Sequence, residues 1–205
     1  MRANTRLALA TLLSLAPAAI AWRSANDPLV MQPQSRIWID GKSTVRRFSC
    51  KAPVFSVDVD AAPGAVAAVL AGTKAVQTAT VTVPAEKMDC GNGTMNEHML
   101  KALKAKDAPT IEFKLSGYDV AKSSAGVQGT LNGTLTLGGQ TRPISLEAQA
   151  EPAPNGTLHV TGAAQIRMTQ FGLKPPSLMM GTMKVDELVT VNFDLLLKPV
   201  TSVAN

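Results

Sequence analysis

The chain has 205 residues, 45% of them hydrophobic but only 4% aromatic, and its 20 Lys and Arg against 15 Asp and Glu give a formal charge of +5. That length fits one ordinary domain plus a targeting segment, and so modest a charge makes no demand for a nucleic-acid partner. With only two histidines, zinc coordination and general acid–base chemistry both start short of groups.

At the N-terminus, Arg2 and Arg6 precede an apolar run from Leu7 to Leu15, and Ala19-Ile20-Ala21 supplies small residues before Trp22. This is the pattern of a secretory signal. Thr11, Ser14 and Pro17 interrupt the run, which leaves it short of the roughly 20 apolar residues a membrane anchor needs. Residues 1–21 therefore read as a signal peptide, and losing their two arginines lowers the charge from +5 to +3. The expectation is a periplasmic or secreted protein with no stable membrane insertion. Residues 22–34, rich in Pro, Asn, Gln and Ser, read as a flexible leader, residues 35–199 as one β-domain and residues 200–205 as a tail.

Within that domain, strands are predicted nearly everywhere, because apolar and polar residues alternate with a period of two. The alternation appears at Ile37–Ile39, Phe55–Val59 and Thr80–Val83, each rich in β-branched residues, and again at Ile111–Leu115 and Ile144–Ala150. Leu158–Met168 and Val189–Leu197 form two longer strands. The clearest case is Val127–Leu137, where Val127, Gly129, Leu131, Gly133, Leu135 and Leu137 share one face. Two glycines on an inward face predict enclosed space in place of a filled core. Turn dipeptides, Gly138-Gly139 and Asn155-Gly156, separate the strands, the second favouring a type I′ turn. About eight antiparallel strands so spaced make an all-β protein, either an up-and-down barrel or a sandwich.

Two helices interrupt the strands. Pro63–Ala71, ended by Gly72, is a weak candidate. Thr94-Met95-Asn96-Glu97 has capping-box spacing, which predicts a helix capped by Thr94, carrying Met95, Met99, Ala102 and Leu103 on one face and stopped by Pro109. Neither supplies a helical layer.

Chemical groups are few. Cys50 and Cys90, spaced 40 residues apart, read as one disulfide in an oxidising compartment; such a loop closure stabilises by about 3–4 kcal/mol in the chain-entropy model. His159 falls on the polar face of its strand and reads as a solvated side chain, while His98 lies beside the apolar stripe of the capped helix. Arg46 and Arg47 are adjacent, so in a strand they point to opposite faces, and a pyrophosphate head could use only one of them, with Lys51. No nucleophile elbow, phosphate loop or zinc-protease helix occurs, so neither enzymatic activity nor a cofactor or metal is expected. Met168–Met183 is greasy yet broken by Pro175-Pro176, with Phe171, Leu173, Leu178, Met179, Met180 and Met183. It reads as an adaptable apolar lid, with a cap on the core as the competing reading and Cu(I) thioether ligation as a remote one.

Asn96–Phe113 (N-E-H-M-L-K-A-L, then A-P-T-I-E-F), Gly133–Ile144 (G-T-L-T-L-G-G-Q-T-R-P-I), Gln170–Leu173 (Q-F-G-L) and the strand after Val185-Asp186-Glu187 together resemble the YceI-like family over about residues 36–198. The resemblance implies an exported, lipocalin-like, eight-stranded antiparallel barrel with one or two short helices capping an end. It also implies a polyisoprenoid or similar long-chain lipid in an apolar tunnel. The candidate ligand-binding residues are then Phe55, Val57, Val81, Met99, Leu103, Ile111, Phe113, Gly129, Leu131, Gly133, Leu135, Leu146, Met168, Phe171, Leu178, Met179, Met183, Val191 and Phe193, with His98 toward the head group. Gly129 and Gly133 would leave room for the tail. The chain departs from the common pattern with Asn96-Glu97 in place of an Arg-Asp pair, and with its two cysteines. A carrier, in monomeric or homodimeric form, is the expected function. The alternatives are a solid-core barrel acting through its surface and a redox accessory protein.

Overall fold

A computed structural model describes residues 28–124, 126–178 and 182–200; the predicted signal peptide and most of the tail lie outside the described residues. The first four strands, β1 (Leu29–Met31), β2 (Arg36–Lys42), β3 (Arg47–Lys51) and β4 (Ser56–Ala61), are followed by helix α1 (Ala65–Leu70) and β5 (Val76–Pro84). Helix α2 (Gly93–Ala102) precedes the long strands β6 (Thr110–Ser123), β7 (Gly126–Leu137), β8 (Gln140–Ala153) and β9 (Thr157–Arg167). A small hairpin, β10 (Ser177–Leu178) and β11 (Met183–Lys184), leads to β12 (Leu188–Pro199).

Every pairing is antiparallel, and from β4 through β9 each strand pairs with the next, so the sheet is an up-and-down meander. It closes on itself. β12 pairs with β9 along one edge, and along its other edge with β2 and then β1. β1 and β2 thus occupy one lane of the wall, interrupted by a turn at Gln32–Ser35 in which the Ser35 hydroxyl accepts from the Leu196 N–H at 3.0 Å. β3 and β4 fill the neighbouring lane, broken at residues 52–55. The result is the predicted closed eight-stranded barrel, whose closure through β12 pairs most strand edges within the wall.

The closure changes one boundary. Leu29–Met31, expected within a flexible leader, is a wall strand, and Leu29 is buried. The Pro- and Asn-rich flank hides this Leu-Val-Met trio. Hairpin turns fall where predicted: Gly138 and Gly139 have φ of 57° and 78°, and Asn155 and Gly156 have 59° and 70°, the left-handed backbone that type I′ turns require.

The connections place the two helices at opposite ends. α1 links β4 to β5 and packs against β7 and β8. α2 sits at the other end, together with the β2–β3, β7–β8 and β9–β12 connections. Its cap is Asn92, whose side chain accepts from the Met95 N–H at 3.1 Å. Thr94 is not the cap, because the preceding loop fixes an earlier start: the Asn96 side chain accepts from the Cys90 N–H at 2.7 Å and donates to Asp89 at 2.8 Å. The helix also ends before Pro109 acts. Lys104 turns to φ 55°, and the Ala105 N–H bonds back to the Leu100 carbonyl at 3.0 Å, closing the last turn.

Candidate ligand-binding cavity

Alternation along the wall turns one set of side chains inward, and they do not meet across the centre. A cavity of about 400 Å³ runs through the barrel, within the roughly 300–1,000 Å³ typical of ligand sites. Its wall includes Ile37 and Ile39 of β2, Val57 and Val59 of β4, Val81 of β5, Leu131 and Leu135 of β7, Leu146 of β8, and Val191 and Phe193 of β12. The polar side chains among the lining residues are confined to Ser43, Arg46, His98, Tyr118, Gln128 and Gln149. A solid core is therefore not what this chain builds.

Most predicted site residues come together here. Val57, Val81, Met99, Leu103, Ile111, Phe113, Gly129, Leu131, Leu135, Leu146, Met168, Met183, Val191 and Phe193 line the cavity, and so does His98. Three do not. Phe55 is half-buried in the break between β3 and β4, before the wall alternation resumes. Phe171 is 2% exposed, turned into the core by the short 3₁₀ turn Met168–Phe171 that follows β9. Gly133 is absent from the lining because the Phe113 ring and the Lys114 carbonyl already occupy the space a side chain would need. The Leu178 side chain, Met179 and Met180 lie outside the described residues.

The glycines therefore act differently from the expectation. A Cβ on Gly129 would run into the Asp119 carbonyl of the neighbouring strand. A Cβ on Gly162 would meet the Phe193 ring, and one on Gly41 the Phe48 ring. In three places a phenylalanine ring lies over a glycine of the adjacent strand. The glycine lets the ring lie against the wall, and the lumen stays open.

One end of the cavity is built with particular care. Met95, Met99 and Ala102 of α2 and Leu103 just after it, the apolar stripe read from the sequence, face it, as does His98. A disulfide joins Cys50 on β3 to Cys90 just before this helix, and Met99 Sδ lies 3.4 Å from Cys90 Sγ. The Asp89 carboxyl beside it is held below its ordinary range by hydrogen bonds, first from the Asn96 side chain and then from the Gly91 N–H. Opposite α2, the β2–β3 hairpin tip grips the β10–β11 arm: the Thr44 N–H donates to the Lys184 carbonyl at 2.9 Å, and Ser43 bridges to Val185. Pro176, Met183 and Val185 of this arm line the cavity. Arg46 is solvent-exposed yet also lines it, and its guanidinium reaches the Met95 sulfur at 3.4 Å. The cavity thus reaches solvent beside the exposed Arg46, with His98 half-buried and Ser43 buried next to it; exposed Gln128 and Gln149, paired across β7 and β8, line it toward the other end. Of the two neighbouring arginines only Arg46 lies on it, as alternation requires; Lys51 does not.

At the opposite end α1 contributes Val69, and the Tyr118 hydroxyl accepts from the N–H groups of Ala75 and Val76 at 2.7 and 2.9 Å. On the outer wall, His159 is not simply solvated. Its two ring nitrogens bond Glu151 and Asp194, each at 2.8 Å, and Asp194 also pairs with Arg36. Burial lowers the His159 pKa most, but the hydrogen bonds to Asp194 and Glu151 together outweigh it and the net shift is upward. Asp194 shifts downward, since its bonds from Arg36 and His159 overcome the opposing effect of burial. Among the described residues no group of three or more His, Cys, Asp or Glu could hold a metal ion, and no helix is long and apolar enough to cross a membrane.

Fold and cavity define the class: a closed antiparallel β-barrel with an apolar lumen, open to water at a polar rim. The chain belongs to the YceI-like domain family, which it matches over residues 38–197. Among solved structures it is similar to Burkholderia cenocepacia BcnA, with a TM-score of 0.64 and 20% identity over 80% of this chain and 96% of that one. It is also similar to a polyisoprenoid binding domain from Saccharophagus degradans implicated in plant cell wall breakdown, with a TM-score of 0.59 and 12% identity over 86% of this chain and 100% of that one. A Campylobacter jejuni YCEI protein aligns with a TM-score of 0.57 and 18% identity, over 75% of this chain and 85% of that one. At these identities the likeness is one of fold. No curated protein matches the chain.

Proposed function

We propose that this protein captures a polyisoprenoid or similar long-chain amphiphilic lipid in the barrel lumen and carries or stores it outside the cytoplasm, without catalysis. The observation that supports this reading is the apolar cavity of about 400 Å³. A tail that fills it recovers packing and also leaves water, at roughly 25 cal/mol per Å² buried. Several hundred Å² of tail thus offset the ordering costs of binding.

The rim suits the polar end of an amphiphile. His98 and Arg46 would meet the head group, while Phe113, Leu131, Leu146, Val191 and Phe193 surround the tail. The arm carrying Met183 would close over the bound chain. The similar barrel from Saccharophagus degradans is a polyisoprenoid binding domain, which favours an isoprenoid over other tails. The signal-like N-terminus and the disulfide are consistent with an oxidising compartment.

Native mass spectrometry of protein purified from its own host, followed by lipid extraction, tests the reading. A bound species that extracts into organic solvent is the expected result. Protein that is lipid-free as isolated and takes up no isoprenoid alcohol or diphosphate would overturn it.

A further inference from the structure

We infer that the α2 end of the barrel is a docking face for an anionic lipid bilayer, so that the cavity rim opens toward the leaflet from which an amphiphile would come. The inference deepens the lipid-carrier reading, but it stands on a separate observation, the distribution of charge.

The segments that form this end are residues 42–47, 85–109, 138–139 and 167–187. They are in mutual contact: Ser43 bridges Val185, Arg46 reaches Met95, and Gly138 approaches Leu173 and the Leu103 carbonyl. These segments hold ten Lys and Arg against six Asp and Glu, a net +4, while the remaining described residues sum to −1. Two of the acids pair with cations of the same segments, Glu86 with Lys87 and Glu187 with Arg167, which leaves eight cations against four acids and the net +4 unchanged. The connections at the opposite end, residues 62–75, 124 and 154–156, contain one charged residue, Lys74, and it is paired with Asp119 at 3.0 Å. Positive charge is thus concentrated on one pole of the barrel.

The same pole carries an exposed aliphatic group. Val45 is 64% exposed, the most exposed large hydrophobic side chain among the described residues, at the tip of the β2–β3 hairpin. Arg46 and Arg47 follow it directly, and Lys184 lies on the arm bonded to Thr44. A projecting apolar side chain among cations suits an interface where lipid phosphates are outermost and hydrocarbon lies just beneath. Acidic proteins or polysaccharides would use the cations but not the valine. Because Arg46 is both exposed and part of the cavity rim, docking here would let a chain pass from bilayer to lumen with little exposure to water.

Co-sedimentation with isoprenoid-free vesicles tests this. Vesicles of phosphatidylglycerol mixed with phosphatidylcholine should bind the purified protein, vesicles of phosphatidylcholine alone should not, and added salt should release it. Combining Arg46→Glu, Arg47→Glu and Lys184→Glu should lower the partition coefficient at least about tenfold, and the uncharged Val45→Ser should lower it without changing the slope against salt. Lys122→Glu with Lys198→Glu, at the other end, should leave binding intact. Thermal unfolding of each variant separates lost docking from lost folding. Equal binding to neutral and anionic vesicles, binding undiminished by the rim variants, or retention on heparin without any vesicle binding would overturn the inference. Lipid found in the lumen alongside any of these results would leave the carrier reading standing.

Discussion

Gly41 on β2 and Phe48 on β3 are register partners, and the Phe48 ring lies where a Gly41 side chain would stand. The three atoms nearest to a Cβ built on Gly41 all belong to that ring, and no positive φ constrains the residue. Gly41→Ala should therefore cost about 1–3 kcal/mol through overpacking. In a Phe48→Ala background the same change should cost almost nothing, since the collision is gone. Chemical denaturation of the four proteins of this cycle measures the coupling, expected at about 0.5–3 kcal/mol. Additive effects would show that the ring is not held over the glycine.

Leu131 and Leu146 face each other across β7 and β8, and both line the lumen. Leu131→Trp should occupy tail space and reduce isoprenoid binding by tenfold or more, a loss of about 1.4 kcal/mol or more, with a smaller effect on folding than on affinity. Tail-labelled isoprenoid fluorescence titration with parallel thermal unfolding distinguishes the two. Unchanged affinity in the folded variant would place the lipid elsewhere.

The Cys50–Cys90 bond closes a loop with a sequence separation of 40 and tethers the start of α2 to the wall. Replacing both cysteines with alanine should lower stability by about 2–4 kcal/mol. Hydrogen exchange should rise first at Asp89–Leu103, the segment held by the bridge and by Asn96. Uniform loosening of the whole barrel would contradict that local role.

His159, between Glu151 and Asp194, gives the fold a dependence on pH. Its folded pKa lies above the unfolded value, so its stabilising contribution is complete below the unfolded pKa near 6.5 and is lost as pH rises through the folded one. Asp194 runs the other way: its contribution is present above the ordinary carboxylate pKa and is lost as pH falls through its depressed one. Stability should therefore decline as pH rises above about 6.5, and His159→Gln should flatten that slope. Urea unfolding midpoints across this window provide the check.

Much of the wall is legible in the sequence because a half-buried strand writes its two faces into alternate residues. All eight lanes contain a segment that the alternation predicts. What escapes is non-local. The register of β6 against β7 shifts between Leu115 and Gly117, so Ile111, Phe113 and Leu115 face inward and then Tyr118 and Val120 do. The alternation changes phase, and the second half of β6 reads as loop. The short strand Arg47–Lys51 is masked by its flanking charges. The hollow itself is legible, but its cause is not: a glycine announces missing volume, while the ring that fills it belongs to another strand. Thr94 carries the better capping pattern, yet a disulfide and Asn96, linking residues distant or hidden in the pattern, move the start of the helix to Asn92.

The closing seam has a consequence for how the molecule comes together. Leu29–Met31 is the first wall segment in the chain, and it pairs with Leu197–Pro199, the last. These partners are far apart in sequence, so the cylinder stays an open sheet with two raw margins until they meet. Joining such distant segments favours slow maturation, and until then the greasy inner surface is available to neighbours as well as to lipid.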